Sequence, residues 1–269
     1  MEPSPVESPI DDIAYLVRSE HRVTTLMALT TRSRSRSELW ELTGVSSSTI
    51  RRTLREFEDR QWIMRDGYQY ETTELGSFVA SAVADLLDRL ETERDLRDIW
   101  QWLPDESTGF SVELCTDANV TIASAEDPYR PVNHFIDLLE ATDQFRFVGL
   151  DVALLEPSKE VLCQRVIDGM DAEMITPPRV ANYVRSSCPD LFADALDSGH
   201  LTVRLHDELP QFGVCLFDDQ VAISGYDPDS VMVRALIDTA EQPARDWAKS
   251  IYQRYRRQRP TVGLEPTTE

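Results

Sequence analysis

Apolar positions early in the chain recur at helical spacing. Ile13, Leu16, Val17, Val23, Leu26 and Met27 follow Asp11-Asp12, a pair suited to a helix N-cap, and predict one helix over 11–29. The run Arg32-Ser33-Arg34-Ser35-Arg36-Ser37 has no such period and reads as a loop. A short second helix is expected over 38–42, closed by Gly44. Ser46 then suits the N-cap of a third helix over 46–60, where Ile50, Leu54 and Phe57 share one inward stripe. Trp62-Ile63-Met64 and Tyr68-Gln69-Tyr70-Glu71-Thr72 flank a turn at Arg65-Asp66-Gly67, and Asp-Gly between strand-like runs signals a hairpin. Three helices and a hairpin make a winged helix-turn-helix over 11–73.

A long amphipathic helix is expected over 74–103, with Leu75, Val79, Ala82, Leu86 and Leu90 along one side. Pro104 and Gly109 end it and mark a domain boundary. Beyond that, strand-like runs at 110–116, 119–123, 145–150, 172–176, 201–206, 212–217 and 220–224 alternate with helices at 130–141, 157–169, 178–197 and 229–258. Such alternation predicts an α/β domain over 110–259 with a mostly parallel sheet, to which a late hairpin at Asp218-Asp219 adds antiparallel strands. Residues 1–10 and 260–269 read as disordered, and no internal repeat is present.

Charge changes this picture from a fold into a function. The 269 residues carry 27 basic and 48 acidic side chains, a formal charge of −21. Yet positions 18–65 hold ten arginines against six acids, about +4 locally, which leaves about −25 for the remainder. An acidic surround repels polyanions, so a basic island inside it points to DNA. Only two of the basic residues are lysines, Lys159 and Lys249, and lysine depletion with acid excess resembles the proteins of salt-loving archaea. The start lacks a signal-peptide pattern and no apolar run has membrane-spanning length, so a cytoplasmic location with no membrane partner is expected. Cys115, Cys163, Cys188 and Cys215 form no CxxC pair and sit in apolar contexts, which suits buried free thiols over a metal site.

With Ile50, Leu54 and Phe57 turned inward, the third helix offers Ser47, Ser48, Thr49, Arg51, Arg52 and Arg55 to a major groove, with Ser46 at its start. Arginine can bond guanine through two N–H groups, and short hydroxyls can reach bases or phosphates. Arg65 and Tyr68 at the hairpin suit a minor-groove or phosphate contact, and Arg34 and Arg36 in the preceding loop suit phosphates. A basic winged helix can instead serve as a protein-binding module, and that alternative stays open. Reading paired half-sites requires a homodimer, for which the 74–103 helix is the natural seam; packing against its own C-terminal domain is the competing use.

The C-terminal domain lacks GxGxxG, GxxxxGK[ST], GxSxG and HExxH, and its histidines are scattered, so neither catalysis nor a cofactor is expected. Ligand positions are sought at strand ends: Asp151, Thr176, His206 and Tyr226, with Arg130 in a loop suited to a phosphate or carboxylate. The run Tyr252-Gln253-Arg254-Tyr255-Arg256-Arg257-Gln258-Arg259 suits either a helix end matched to its dipole or an accessory DNA contact.

The arginine-rich winged helix, the long connecting helix and the run Phe212-Gly213-Val214-Cys215-Leu216-Phe217-Asp218-Asp219-Gln220-Val221-Ala222-Ile223-Ser224-Gly225-Tyr226 resemble haloarchaeal transcription regulators of the TbsP kind. More distantly they resemble sugar-responsive TrmB regulators and methanogen regulators. The resemblance implies control of central carbon metabolism genes, a phospholipase D-like sensor domain without the catalytic HxK, and an effector such as a sugar or sugar phosphate. The expectation is therefore a dimeric, non-enzymatic regulator on double-stranded promoter DNA. The alternative is a winged-helix module whose C-terminal domain only oligomerises.

Overall fold

A capping box opens the first helix, α1 (Pro9–Val17). The Ser8 hydroxyl accepts from the Ile10 N–H, and the Asp11 carboxylate accepts from the Ser8 N–H at 3.0 Å. The computed structural model describes residues 8–150, 152–227 and 232–258. The expected disordered ends therefore fall largely outside the described residues, but 8–10 already belong to the cap and first turn. Asp11 closes that box from inside the helix and is not its N-cap.

The expected helix over 11–29 is two. Ser19 is extended (φ −152°, ψ 122°) and separates α1 from α2 (Glu20–Thr31). The break lets Leu16 of one helix and Leu26 and Leu29 of the other reach one core, which they share with Leu39, Ile50, Leu54 and Phe57. Arg22 and Arg60 lie over the Tyr15 ring at 4.0 and 4.3 Å, and Arg60 also bonds Asp12 at 2.8 Å. Helix α3 (Arg36–Thr43) starts earlier than expected, because Ser35 and Glu38 form a second capping box. It stops at Gly44, whose left-handed φ of 67° a side chain would strain. Helix α4 (Ser47–Asp59) is capped by Ser46 as expected.

The loop before α3 contributes a strand, β1 (Arg34–Ser35), to a three-stranded sheet with β2 (Ile63–Asp66) and β3 (Gln69–Thr72), in the order β1-β3-β2. Asp66 pairs with Gln69, so the turn is Gly67-Tyr68 and Arg65 and Asp66 are strand residues. Gly67, at φ 60°, occupies the first turn position, as a type II′ hairpin demands. Helix α5 (Glu74–Leu96) is shorter than the 74–103 expectation. The chain divides between Leu90 and Glu91, ahead of the boundary expected at Pro104, because Leu96, Ile99 and Leu103 are buried in the core of the second unit.

In the second unit the strands are β4 (Asn119–Ile122), β5 (Gln144–Val148), β6 (Asp171–Thr176), β7 (Leu201–Leu205), β8 (Gly213–Leu216), β9 (Val221–Asp227) and β10 (Met232–Thr239). They form one sheet in the order β4-β10-β9-β8-β5-β6-β7. Only β5–β6 and β6–β7 are parallel; the other four pairings are antiparallel, so the sheet is mixed and not mostly parallel. Helices α6 (Arg130–Glu140), α7 (Val152–Ile167), α8 (Pro178–Ser187) and α9 (Pro189–Asp197) share a core with Phe145, Phe147, Met174 and Val203. Helix α10 (Gln242–Arg257) covers the other face through Trp247, Ala248, Ile251 and Tyr252.

Three expectations fail here. Residues 110–116 are not a strand, since Val112–Cys115 is a 3-10 turn that buries Cys115. The helix over 178–197 breaks at Cys188, before Pro189. The 229–258 helix is a strand, β10, followed by α10. Strand β10 has β4 and β9 as neighbours and buries residues of both faces, so its apolar positions show no two-residue period.

Candidate nucleic-acid interface

The interface is built on α4. Ile50, Leu54 and Phe57 are fully buried, which fixes the helix's rotation and turns Arg51, Arg52 and Arg55 to solvent. Among the described residues these three guanidiniums, and that of Arg36, have no hydrogen-bond or ion-pair partner. Four other arginines of the basic island differ. Arg22 and Arg60 stack on Tyr15, Arg32 pairs with Glu38 at 2.9 Å, and half-buried Arg34 donates its Nε to the Ala28 carbonyl at 3.0 Å. Arg34 thus stands in β1 and not in a loop, with its Nε committed to the Ala28 carbonyl.

Ser46 is also used internally. Its Oγ lies 2.9 Å from the Ser48 hydroxyl and 2.8 Å from that of Thr49, and accepts from the Thr49 N–H. This network caps α4 and joins three of the four hydroxyls expected to read bases. Ser47, exposed, remains at the positive end of the helix dipole, where anions are favoured. Burial and the neighbouring charges of Arg22 and Arg52 hold His21 below the ordinary histidine range, as a positive surround requires.

The wing shares a recess with α3 and the start of α4. Arg65 donates its Nε to the Gly67 carbonyl at 2.8 Å and lies 5.8 Å from the Tyr70 ring, while Tyr68 is 86% exposed at the turn. A recess of about 560 Å3 is lined by Arg36, Ser37 and Trp40 of α3, Ser47 of α4, and Arg65 and Tyr68 of the wing. Trp40, 47% exposed, was not singled out from the sequence. The Ser35-x-x-Glu38 signature could have revealed where α3 begins and hence which face carries it.

In the second unit, strand directions put Arg130, Thr176, His206 and Tyr226 at one end of the strands, spread across the sheet from β4 to β7, while Asp151 lies outside the described residues. Arg130 is exposed at the start of α6. Thr176 is buried, and its hydroxyl has no partner among the described residues and lines a small apolar cavity. His206 has a local role: its backbone N–H donates to the Thr176 carbonyl, its Nδ1 accepts from the Glu208 N–H, and its ring meets Tyr255 edge-on at 5.5 Å. Tyr226 is a strand residue opposite Val233. A recess of about 590 Å3 lies elsewhere, between α7 and the start of α9, lined by Glu160, Gln164, Arg165, Cys188 and Asp190. No group of three or more His, Cys, Asp or Glu among the described residues could hold a metal ion, and no helix among them is long and apolar enough to cross a membrane.

Residues 10–95 match the family model of the HVO_A0261 N-terminal domain. Residues 128–258 match that of the middle domain of the methanogenesis regulatory protein FilR1. The two matches cover the winged helix-turn-helix with most of α5, and the sheet domain from α6 to α10 without β4. No curated protein matches the chain. Among solved structures, TrmBL2, an archaeal chromatin protein, is 14% identical, with 94% of this chain and 99% of that one covered at a TM-score of 0.42. Phosphatidylserine synthase from Haemophilus influenzae Rd KW20 is 18% identical over 55% of this chain and 39% of that one, at 0.38. A putative IclR-family regulator from Rhodococcus sp. is 15% identical over 95% and 94%, at 0.19. Scores this low carry no functional weight.

Proposed function

We propose that the chain is a sequence-specific, DNA-binding transcription regulator that works as a homodimer in the cytoplasm. One observation carries this: Arg51, Arg52 and Arg55 project unpaired from one helix of a protein with a formal charge of −21. A folded protein gains nothing from concentrating unmatched positive charge on one face unless an anion completes it. The matched regulator-family domains point the same way.

Helix α4 enters the major groove, where Arg51, Arg52 and Arg55 reach guanine edges. Arg36, Arg65 and the N-terminus of α4 take phosphates, and Tyr68 follows the adjacent backbone or minor groove. The dimer is supported by α5, whose Leu75, Phe78, Leu86, Leu87 and Leu90 remain exposed. A second copy burying that stripe places two recognition helices on paired half-sites. The second unit takes a small effector that binds the DNA-competent and incompetent dimers with different affinity, and it has no catalytic role. Lysine depletion supports a salt-rich cell interior, in which base-edge bonds and dimer pairing carry specificity because counterion release contributes little. The resemblance to TbsP-kind and TrmB regulators supports central carbon metabolism genes as targets and a sugar or sugar phosphate as effector.

The test is genome-wide occupancy followed by fluorescence anisotropy on the recovered promoters in graded KCl. Occupancy at discrete promoters, with preference over scrambled duplex surviving in molar KCl, supports the reading. Equal affinity for every duplex, or none, overturns it.

A further inference from the structure

Strand β6 carries a charged residue where its neighbours are apolar. Glu173 lies on the face that α10 covers and is 7% exposed. Its Oε1 accepts from the Arg204 Nε of β7 and, at 3.0 Å, from the Arg256 Nε of α10. One carboxylate thus holds two guanidiniums from two elements in fixed positions. Arg257, exposed, adds a third, with only a long 3.4 Å bond to the Gln253 side chain. Together Arg204, Gln253, Arg256 and Arg257 line a recess of about 280 Å3.

The charge there does not balance. Three guanidiniums meet one carboxylate, which leaves two positive charges in a strongly acidic chain. A structural ion pair needs one arginine for Glu173, and a solvated helix end needs no strand arginine. The Arg204 and Arg256 Nε groups are committed to Glu173, which fixes both guanidinium planes before any ligand arrives and so lowers the ordering cost of binding.

We propose that this recess is a binding site for a small organic dianion, with a phosphate monoester as the group held by Arg204, Arg256 and Arg257. Two unmatched positive charges match a dianion, and guanidinium forks suit tetrahedral oxyanions. Gln253 supplies an amide for a hydroxyl or oxygen beside the phosphate. DNA backbone is the disfavoured occupant. The recess is concave and small, whereas a duplex backbone presents an extended ridge of singly charged diesters that does not enter it. The site stands by itself as anion chemistry; its use as the effector input rests on the regulator reading above.

The full chain is titrated with glycerol phosphate and inorganic phosphate, against chloride at matched ionic strength, with thermal unfolding as the readout. Expected is a saturable rise in Tm with glycerol phosphate that chloride does not reproduce. Arg257→Gln, at an exposed position, should weaken the apparent affinity by about tenfold, the loss of one charge-assisted contact. Arg204→Gln serves as a second weakening variant. No saturable shift, or one that survives both arginine variants, overturns the proposal. Promoter affinity is measured alongside. If Arg257→Gln weakens DNA binding as strongly as Arg52→Gln does, the recess is a DNA contact and the proposal fails. If no variant binds any promoter while the phosphate response persists, the regulator reading fails and the anion site stands.

Discussion

Gly76 of α5 lies against the backbone of Trp62, so closely that a Cβ at position 76 would sit 1.8 Å from the Trp62 carbonyl oxygen. That oxygen accepts from the Thr73 N–H at 3.0 Å, the Thr73 hydroxyl donates to the Gln61 carbonyl, and the Gly76 N–H donates back to that hydroxyl at 3.1 Å. The start of α5 is thereby fixed to the root of the wing. In an ordinary helix interior Gly→Ala gains about 1 kcal/mol. Here the methyl meets backbone that cannot rotate away, and Gly76→Ala should instead lose about 3 kcal/mol, read by chemical denaturation. A neutral or stabilising result would show that α5 is not seated this way.

Arg52→Gln and Arg36→Gln separate reading from positioning. The first should cost about 1–3 kcal/mol on the preferred promoter and relax preference at one base position. The second should weaken all duplexes alike and lower the salt slope by about one. Anisotropy titrations across KCl and single-base operator variants check both.

Phe78 is 78% exposed, an extreme for an aromatic ring on a helix that also exposes Leu86 and Leu90. Phe78→Glu and Leu86→Glu should convert a dimer to a monomer in analytical ultracentrifugation while leaving the helical content unchanged. A monomeric parent protein would rule out α5 as the seam.

Ser35 and Glu38 position α3, so Ser35→Ala should cost about 1 kcal/mol. Bonds from the Ser35 N–H, the Ser35 hydroxyl and Arg32 hold the Glu38 carboxyl at about 2, well below its ordinary 4.5. Its folded value is depressed, so its stabilisation is present above pH 4.5 and is lost as pH falls toward 2. A carbon-detected NMR titration of Glu38 with a midpoint near 4.5 would show that the box does not persist in solution.

Burial pushes the Cys115 and Cys163 thiols up to about 12. Neither should react with a thiol reagent at pH 8 on the timescale at which the unfolded chain is fully labelled. Mass spectrometry after timed labelling gives the rates.

Local signals were legible wherever a residue acts on its own neighbours. Ser46 caps α4, Gly44 ends α3, and the spacing of Ile50, Leu54 and Phe57 sets which side of α4 is buried. The same spacing placed Arg51, Arg52 and Arg55 outward. The split at Ser19 was not legible, because apolar positions on either side keep a continuous period and only the shared core demands a bend. Strand β1 was equally hidden: two residues carry no period, and their pairing with Tyr70 and Gln69 is a contact across more than thirty positions.

The sequence by itself determined the helix caps, the hairpin glycine, the inward stripe of α4 and the basic island, since these depend on backbone conformation and charge over a few residues. The tertiary structure alone decided which arginines remain unpaired, that Ser46 serves its helix and His206 its turn, that β10 is a buried strand, and that Glu173, Arg204 and Arg256 meet. Those outcomes rest on pairing and burial between distant segments, where a hydrogen-bond partner or an apolar neighbour is set by the fold and leaves no mark in local spacing.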